Sequence, residues 1–574
     1  MARGVLMEAG TRRPRRRRGV RWRLRFLIPL VALAAVAAGL VLVIRGSPGH
    51  AERNLVTGYV RAWAAGDYGR MYSLLDPASR ARTSEPRFAA AYRHDAMIAT
   101  VESIRTGRPG RRRAGEIPVN TVVKTRLFGT LQETLYIPLT GSGSSATVHF
   151  VPSLLFPGLR GHERLGRRTE LGPRATLFAA DGTALAQGPT RSSSIPDVAL
   201  QIVGVLGPIP PAQAAVYASE GYPRDAKVGL DGLERAFQPA LAGTPGGELL
   251  AGHRVLVRNP PTPGHDVTTT IEPGLERAAV AALAGRFGGI AVMNPRTGAL
   301  LALAGVAFSA LQPPGSTMKI ITATAALEAG IVKLSDTFPI NTSATIEGYT
   351  LHNAGGEACG GTFLNAFAVS CNSVFAPLGA RLGGARLVDM AERYGFDQRP
   401  PVAGAAESTI PSASSIGDAL AVGSSAIGQG RVQATVLEMT DVAATIAMGG
   451  RRPIPTLQAH EPPRFVPVTS PRVAGLLQEM MIAVVRFGTG TAAAIPGVTV
   501  AGKTGTAELQ NTATSSGSNT ANANLETDAW FVGYAPVGAP RIVAGALFPN
   551  QGAGGATAAP AVRQVLVAGL QAPH

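Results

Sequence analysis

Residues 26–44 contain no charged side chain and directly follow an arginine-rich N-terminus, and this combination constrains the architecture of the chain more than any other feature. As a helix, the segment would span roughly 28 Å, about the thickness of the hydrocarbon core of a bilayer. Residues 1–25 hold ten arginines and one glutamate, and the positive-inside rule places such a flank in the cytoplasm. We therefore predict a basic cytoplasmic tail over 1–25 and a single transmembrane helix over 26–44, with the remaining chain outside the cell membrane.

Two alternatives exist for this N-terminal region. A cleavable signal peptide would have a shorter apolar run and a small-x-small exit. The net charge of +17 suggests nucleic-acid binding as a second alternative, but the arginine-rich tail alone carries +9 of this charge. We therefore interpret the tail as a topology signal and a contact for anionic lipid, and we expect no nucleic-acid partner.

The 574 residues are enough for three or four domains, and three regions follow the apolar segment. Residues 48–155 begin with helical spacing and continue with β-branched runs, which predicts a small α+β domain. Residues 156–270 mix turns with short strands and contain a stiff proline-rich stretch at 259–264, which favours a linker domain. Residues 271–574 form the third predicted region.

The third region predicts one antiparallel sheet covered by helices. Residues 289–293 and 299–304 have the pattern of two hairpin strands joined by a turn that contains proline and glycine. Further strands are predicted at 529–534 and 542–548, whereas the residues between these outer strands have mostly helical patterns. Strands from both ends of a region with a helical middle indicate a shared sheet.

Lysine is scarce, because only five of the 54 lysines and arginines are lysines. Arginine therefore serves where a plain positive charge is enough, and a retained lysine indicates a position where arginine cannot serve. One such role is an amine that must lose its proton, which a guanidinium does not do. The lysines are Lys124, Lys227, Lys319, Lys333 and Lys503.

The first motif is Ser316-x-x-Lys319, at the start of an apolar helical run that begins near Thr317. Residues three apart lie on the same face of a helix, so the lysine amine can reach the serine hydroxyl. Burial and the positive end of the helix dipole both lower the proton affinity of such a lysine, which can then act as the base for a serine nucleophile. The alternative is a serine N-cap followed by an unrelated lysine.

The second motif is Ser370-x-Asn372, whose hydroxyl can relay a proton and whose carboxamide can orient a peptide substrate. Ser-x-Asn is a common tripeptide, so this motif carries little information alone. Its value lies in its position between the first motif and the third.

The third motif is Lys503-Thr504-Gly505-Thr506, directly after a predicted strand at 498–502. Gly505 would let a substrate backbone approach closely, and the two threonine hydroxyls with the Lys503 charge suit a carboxylate. The alternative is an ordinary basic residue on an edge strand.

In this order, the three motifs match the set of class A β-lactamases and penicillin-binding proteins. Cys371 stands in the second motif where class A β-lactamases have aspartate, which argues against that class. The chain resembles class B penicillin-binding proteins, which are peptidoglycan D,D-transpeptidases. Other segments similar to this family are 369–375 (SCN-x-x-F), 428–430 (Gly-Gln-Gly), 529–534 (the strand after Lys-Thr-Gly), 229–235 (the GLE segment) and 174–186 (the linker opening).

The resemblance implies a multidomain α+β fold. Residues 48–155 resemble the extra N-terminal domain of low-affinity, methicillin-resistance-type members, which has the cone-shaped fold of nuclear transport factor 2. Residues 156–270 would be the pedestal or dimerisation-type domain, and 271–574 the penicillin-binding transpeptidase domain, which leaves no room for a glycosyltransferase. The pedestal opening departs from the family pattern at Ala175, Ala179 and Ala180.

The resemblance also implies residue roles. Ser316 attacks the D-Ala-D-Ala carbonyl of a stem peptide with Lys319 as base, and β-lactams acylate the same serine. Backbone N–H groups of Ser316 and Thr506 form the oxyanion hole, and Ser370 with Lys503 passes a proton to the leaving D-alanine. Asn372, which would hold the donor peptide, is expected among the catalytic residues with Ser316, Lys319, Ser370 and Lys503. The expected substrate-binding residues are Thr504, Gly505 and Thr506, whose two threonines would bind the terminal carboxylate.

The expected partners are peptidoglycan stem peptides, β-lactams, the cell membrane and, from the family resemblance, a membrane glycan polymerase that would contact residues 26–44. No metal or cofactor is required by this chemistry. The sequence leaves open whether the role is in division, elongation or sporulation. It also leaves open whether the only two cysteines, Cys359 and Cys371, form a disulfide or remain buried thiols.

Rival functions on the same fold are a D,D-carboxypeptidase, a β-lactam hydrolase and a non-enzymatic β-lactam sensor or division scaffold. The multidomain stalk argues against a plain hydrolase, and an inside portion of only some 25 residues argues against a sensor. A Ser-His-Asp hydrolase is disfavoured because residues 271–574 hold three histidines and Ser316 lacks a G-x-S-x-G elbow.

Overall fold

The structure is a computed structural model, and it describes residues 49–508 and 527–572. The predicted basic tail, the predicted transmembrane helix over 26–44 and the polar stretch 510–524 lie outside these residues. Within the two described ranges, no helix combines the length and the apolar character that crossing a membrane requires.

The chain folds into two compact units. The first comprises the described residues up to Glu170 together with Gly246–Pro260, and the second comprises Leu171–Pro245 and the described chain from Pro261 onward. These limits differ from the sequence-based limits at 155 and 270, because a hairpin within 246–259 pairs with the strand that ends at Glu170.

The first unit begins with the helices α1 (His50–Ala65), α2 (Tyr68–Ser73), α3 (Pro77–Arg82) and α4 (Glu85–Ile98). The carboxylates of Asp67 and Asp76 accept hydrogen bonds from the first turns of α2 and α3 and so cap both helices. Apolar residues of α1 and α4 meet in a core in which the hydroxyl groups of Tyr59 and Tyr92 hydrogen-bond at 2.8 Å.

Two antiparallel sheets complete the first unit. Their strands are β1 (Val101–Thr106), β2 (Glu116–Thr125), β3 (Gly129–Thr140), β4 (Thr147–Val148), β5 (Leu165–Glu170), β10 (Gly246–Ala251) and β11 (Arg254–Asn259). One sheet has the order β1–β2–β3–β4 and the other the order β11–β10–β5. Along β2, every second side chain is buried, so one face of the sheet packs on the core.

The second unit begins with short elements. They are β6 (Leu177–Phe178), β7 (Ala184–Ala186), α5 (Pro196–Ile202), β8 (Leu206–Pro208), α6 (Ala214–Glu220), β9 (Lys227–Gly229), α7 (Gly232–Ala236), α8 (Gln238–Ala242) and β12 (Val267–Thr268). The buried Glu234 carboxylate accepts hydrogen bonds from Arg174 Nε at 2.8 Å and from Arg191 Nε at 2.6 Å. A buried carboxylate needs charged partners, and both arginines meet this need for Glu234. The two ion pairs thereby connect the linker opening and the chain just after it to the segment that contains GLE.

The core of the second unit is a five-stranded antiparallel sheet in the order β14–β13–β23–β22–β21. Its strands are β13 (Gly289–Met293), β14 (Leu300–Gly305), β21 (Ala501–Glu508), β22 (Thr527–Ala535) and β23 (Ile542–Phe548). The prediction that the hairpin and the C-terminal strands share one sheet is therefore confirmed.

Helices cover both faces of this sheet, so β22 and β23 are buried along their whole length. Helices α9 (Pro273–Leu283) and α17 (Gly554–Gln571) pack on one face. Helix α15 (Val436–Ala447) packs on the other, where its apolar residues join the larger core cluster.

The residues between the outer strands are mostly helical. The other helices are α10 (Lys319–Glu328), α11 (Phe363–Ala368), α12 (Asn372–Leu382), α13 (Gly384–Tyr394), α14 (Ala419–Ala426) and α16 (Pro471–Arg486). Three small antiparallel pairs accompany them: β15 (Thr337–Asn341) with β18 (Cys359–Thr362), β16 (Ser343–Ile346) with β17 (Tyr349–His352), and β19 (Arg451–Pro453) with β20 (Phe465–Pro467).

Two element limits differ from the predictions at the motifs. The helix predicted from Thr317 begins with a 3-10 turn over Gly315–Met318, and α10 starts at Lys319. The strand predicted at 498–502 begins at Ala501 and continues to Glu508. The third motif therefore lies within β21, at the edge of the sheet.

Candidate active site

Ser316 lies in the 3-10 turn before α10, and close backbone packing holds this turn in place. The Gly315 N–H donates to the Gly428 carbonyl at 3.0 Å. A Cβ atom at Gly428 would lie 2.0 Å from the Gly315 oxygen, and one at Gly315 would lie 2.9 Å from the Thr506 backbone. Both glycines have positive φ, 51° at Gly315 and 75° at Gly428. The serine turn is therefore held between the Gly-Gln-Gly turn and β21.

Lys319 is fully buried, and its amine connects the first motif to the second. Nζ donates to the Ser370 carbonyl at 2.6 Å, to Asn372 Oδ1 at 2.7 Å and, at a longer 3.3 Å, to Ser370 Oγ. It also lies 5.5 Å from the centre of the Phe375 ring. These contacts use all three donors of an ammonium group.

Lys503 is also fully buried and reaches the same serine from β21. Its Nζ donates to Ser370 Oγ at 2.9 Å and to the Thr504 carbonyl at 2.9 Å. The centre of the Phe367 ring lies 5.5 Å from this amine. The Ser370 hydroxyl therefore lies between two lysine amines.

Burial changes the protonation of both lysines. It holds the pKa of Lys319 well below its ordinary value, and the positive charge of Lys503 adds to this effect. Burial alone lowers the pKa of Lys503 to about 7. An amine that is neutral near physiological pH can accept a proton from a serine hydroxyl, which an ordinary surface lysine cannot do.

The backbone of Ser370 is in the left-handed region, with φ of 63°. This conformation costs of order 1–3 kcal/mol for a residue other than glycine and concentrates at functional sites. Here it turns the carbonyl towards Lys319 and leaves the hydroxyl with Lys503. The strained backbone of Ser370 therefore allows one residue to accept hydrogen bonds from both lysine amines.

The predicted contact between Lys319 and Ser316 is not a hydrogen bond in the described part of the chain. The three donors of Lys319 point to Ser370 and Asn372 instead, and Ser316 is partly exposed to solvent. For Lys319 to accept the Ser316 proton, it must first be neutral, which frees its lone pair. The Ser-x-x-Lys spacing places the two residues within one helical turn of each other. It does not determine which acceptors the Lys319 amine hydrogen-bonds.

The third motif lies on the edge strand β21, where every second backbone N–H and C=O points away from β22. Thr506 is partly exposed, whereas Thr504 is only 4% exposed. A Cβ atom at Gly505 would lie 2.8 Å from Trp530 Cβ and 2.9 Å from the Pro314 oxygen. The missing side chain of Gly505 therefore makes room for the turn that carries the serine.

Thr489, between α16 and β21, was not predicted as a site residue. Its hydroxyl is hydrogen-bonded to that of Thr504, and its N–H donates to the Ala368 carbonyl at 3.1 Å. Thr489 is exposed, unlike Thr504. Its Gly-Thr-Gly context carries no sequence signal that links it to the third motif.

Cys359 and Cys371 form a disulfide, which decides between the two alternatives that the sequence left open. The bond joins β18 to the residue between Ser370 and Asn372. In residues 49–508 and 527–572, no group of three or more histidine, cysteine or acidic side chains is placed to hold a metal ion.

Two family models match the chain. "Penicillin binding protein transpeptidase domain" matches residues 288–567, and "Penicillin-binding Protein dimerisation domain" matches residues 174–269. Among related proteins, the peptidoglycan D,D-transpeptidase PbpA of Mycolicibacterium smegmatis is 33% identical over 407 residues, which are 59% of this chain and 79% of the relative. PbpA of Mycobacterium tuberculosis strain H37Rv is 33% identical over 412 residues, again 59% and 79% of the two chains.

Solved structures give the same result. The penicillin G acyl-enzyme complex of penicillin-binding protein A from M. tuberculosis has 28% identity and a TM-score of 0.55, covering 70% of this chain and 100% of that one. The D,D-transpeptidase domain of a peptidoglycan glycosyltransferase from Eggerthella lenta has 28% identity and a TM-score of 0.57, covering 70% and 98%. The chain therefore belongs to the penicillin-binding proteins, in the class B group that combines a dimerisation domain with a transpeptidase domain.

Proposed function

We propose that this protein is a peptidoglycan D,D-transpeptidase in which Ser316 is the acylated nucleophile and Lys319 its base. Ser316 Oγ attacks the carbonyl of the D-Ala-D-Ala bond while its proton passes to neutral Lys319. The C–N bond then breaks, the acyl group stays on Ser316, and D-alanine leaves with a proton relayed from Lys503 through Ser370. An acceptor amine then attacks the acyl-serine and loses a proton to Lys503 through Ser370, while Lys319 returns its proton to Ser316 Oγ. The cross-link forms and the serine hydroxyl is restored. Penicillin acylates the same serine when its lactam ring opens.

The observation that carries this proposal is the convergence of Lys319 and Lys503 on Ser370. Two amines within 3.3 Å of one hydroxyl, both with a lowered pKa, form a path along which a proton can move. A neutral amine beside the nucleophile supplies the base, and a charged amine beside the relay serine supplies the acid. This pairing requires burial, and both lysines are fully buried.

The substrate lies along the free edge of β21. The backbone N–H groups of Ser316 and Thr506 form the oxyanion hole, which the close approach of Gly315 to the Thr506 backbone supports. Asn372 Nδ2 donates one hydrogen to the His352 carbonyl and has a second that can bind the donor peptide. Thr506 binds the terminal carboxylate, and Thr504, which is 4% exposed and hydrogen-bonded to Thr489, makes the smaller contribution.

The N-terminal sequence favours a protein that is anchored in the cell membrane. The uncharged segment 26–44 and its arginine-rich flank support a single-pass anchor with the N-terminus inside and the catalytic domain outside. In such a protein, residues 26–44 are also the contact for a membrane glycan polymerase. An alkaline phosphatase fused after Pro48 should be active, because this reporter folds only outside the cytoplasm, whereas an inactive but intact fusion would contradict this topology.

The first unit, in our proposal, is an N-terminal domain of the kind that low-affinity, methicillin-resistance-type members carry. Helices α1–α4 followed by the sheet β1–β4 support a cone-shaped fold like that of nuclear transport factor 2. An experimental structure of the protein, compared with that fold, would test this assignment. A different order of strands around the helices would refute it.

An exchange assay distinguishes transfer of the acyl group to an acceptor amine from its hydrolysis by water. The purified protein is given a stem peptide that ends in D-Ala-D-Ala together with a D-amino acid, and products are identified by mass spectrometry. A transpeptidase exchanges the terminal D-alanine for the added amino acid. Hydrolysis without exchange would indicate a D,D-carboxypeptidase, and rapid turnover of penicillin would indicate a β-lactam hydrolase. Lys319→Arg should abolish exchange because arginine cannot act as base.

A further inference from the structure

Asn353 is a buried residue next to the second motif, and both polar atoms of its carboxamide form hydrogen bonds. Its Nδ2 donates to the Asn341 and Glu357 carbonyls, both at 2.8 Å. Its Oδ1 accepts the Ser373 N–H at 2.8 Å, and the residue is 5% exposed. The carboxamide therefore connects β15, the loop before β18 and the first turn of α12.

The contact with Ser373 supplies a helix cap from outside the helix. The first N–H groups of a helix have no partner within it, and a polar side chain at the N-cap usually accepts one of them. The N-cap of α12 is Cys371, whose sulfur is in the disulfide and caps no N–H group among the described residues. Asn353 Oδ1 takes over this task and fixes the turn that begins with Asn372.

The residue before Asn353 completes the arrangement. The His352 carbonyl accepts a hydrogen bond from Asn372 Nδ2 at 3.0 Å. With Nδ2 held there, Asn372 Oδ1 points to Lys319 Nζ at 2.7 Å. A reversed carboxamide would place an oxygen against the His352 carbonyl and an NH₂ group against the Lys319 amine, so the orientation is determined from both ends.

We propose that Asn353 is a positioning residue of the transpeptidase reaction, because it caps α12 and holds the His352 carbonyl where it orients the Asn372 carboxamide towards Lys319. This inference rests on the proposed function of Ser316 and Lys319. The hydrogen bonds of the Asn353 side chain go to Asn341, Glu357 and Ser373, and not to Ser316 or to either lysine of the site. Its effect reaches the chemistry through Asn372.

The side chain of asparagine is specifically required for this task. One acceptor caps α12, and two donors tie the same carboxamide to backbone carbonyls on the opposite side. Aspartate keeps the acceptor but loses both donors, and alanine loses all three contacts. The expected order of acylation rates is therefore wild type, then Asn353→Asp, then Asn353→Ala.

The test measures the second-order rate constant of acylation by a fluorescent penicillin in the full protein. Asn353→Ala should lower this constant about 10-fold or more, since small misplacements of catalytic groups cost up to about 100-fold. The matched control is Asn365→Ala on α11, which removes a similar 2.8 Å bond from Nδ2 to the Gly360 carbonyl. This control should change the rate less than about twofold, because Asn365 makes no described contact with the second motif.

A double-mutant cycle distinguishes positioning from a general loss of stability. If Asn353 acts through Asn372, the double variant with alanine at both positions should be no slower than Asn372→Ala alone. If the two effects multiply instead, the proposal is wrong. If Asn353→Ala does not fold, Asn353→Asp decides, and a wild-type rate in that folded variant would overturn the proposal.

The proposed function and this inference fail in different ways. Labelling that survives Ser316→Ala would refute the assignment of the nucleophile and leave the role of Asn353 without its basis. Labelling that requires Ser316 but proceeds at the wild-type rate in folded Asn353→Ala would refute the positioning role alone.

Discussion

Lys503 Nζ lies 2.9 Å from the hydroxyl oxygen of Ser370, so the third motif and the second share one proton-carrying hydrogen bond. Lys319 approaches the same hydroxyl at 3.3 Å from the first motif. Charge repulsion between two close amines and their burial both favour a state in which at least one is neutral. The chemistry of the site follows from which amine loses its proton.

This arrangement predicts a bell-shaped pH dependence of penicillin acylation. Lys319 must be neutral to act as base, so the rate rises as pH increases through its lowered pKa. Lys503 must keep its proton to act as acid, and burial lowers its pKa to about 7. Acylation should therefore decline above neutral pH. Second-order rate constants measured across the pH range would show both limbs.

Lys503→Arg tests the assignment of the alkaline limb, because arginine keeps its proton to a pH of about 12. Because arginine cannot pass that proton on, the maximal rate should fall, and the residual acylation should no longer decline just above neutral pH. Lys333→Arg, at an exposed position, is the matched control and should leave the profile unchanged. An alkaline limb that stays near neutral pH in Lys503→Arg would show that another group controls it.

The packing around the serine turn predicts different effects of two neighbouring glycine substitutions. Gly428 and Gly430 have similar positive φ, 75° and 72°. A Cβ at Gly428 would meet the Gly315 oxygen at 2.0 Å, whereas no described atom lies within 4 Å of a Cβ at Gly430. Gly428→Ala should lower acylation at least about 10-fold by displacing Ser316, since small misplacements are costly.

Gly430→Ala carries the same backbone strain without the steric clash, so it is the control for this comparison. It should lose of order 1 kcal/mol of stability and keep the acylation rate within about twofold. Fluorescent-penicillin labelling over time, together with a thermal melt of each variant, measures both quantities. Equal losses of rate in the two variants would contradict the close packing of Gly428 against Gly315.

The two threonines of the third motif should differ in their effect on penicillin binding. Thr506 is partly exposed at the edge of β21, whereas Thr504 is 4% exposed and hydrogen-bonded to Thr489. Thr506→Val should weaken initial binding of penicillin about 10-fold, because a hydrogen bond to a charged group contributes about 1.5–3 kcal/mol. Thr504→Val should weaken it less than about threefold and instead lower stability by about 1 kcal/mol. Saturation kinetics of acylation separate binding from rate, and the reverse ranking would contradict the exposure of the two side chains.

Buried carboxylates on α15 predict a pH dependence of stability. Burial raises the pKa of Glu438 to about 7, partly opposed by Arg452, and raises that of Asp441 well above its ordinary value. Between about pH 4.5 and 7 the folded protein therefore holds protons that the unfolded chain has lost, so the free energy of unfolding falls as pH rises through this window. Glu438→Gln removes one such group and should reduce that fall by on the order of 1–3 kcal/mol.

Urea denaturation at about pH 5 and at about pH 7 measures the effect of Glu438→Gln. The wild type should lose more stability than the variant between these two values. An identical loss in both proteins would show that Glu438 does not titrate in this window.

Local patterns in the sequence were sufficient for much of the fold. The hairpin of β13 and β14, the strand β23 and the mostly helical residues between the outer strands follow from apolar periodicity and turn residues, and the structure confirms them. Helices α3 and α4 were not predicted, although each has a proline in its first turn after a polar N-cap residue, a pattern that favours the start of a helix. The hairpin of β10 and β11 was also missed, and the pairing of β10 with β5 has no local signal because β5 lies far earlier in the chain.

The candidate site was predictable in its members but not in its contacts. Motif order selected Ser316, Lys319 and Ser370, since each residue type is required by the chemistry. The positive φ of Ser370, the choice of acceptors by Lys319 and the contact between Thr489 and Thr504 depend on packing between distant segments. No local pattern encodes such contacts.

The most direct test of the central claim is intact-protein and peptide mass spectrometry after incubation with penicillin G. We expect one added penicilloyl group, located on the peptide that contains Ser316, and no addition to a folded Ser316→Ala variant. A penicilloyl group on a different residue of the wild type, or undiminished acylation of Ser316→Ala, would contradict the assignment of Ser316 as the nucleophile.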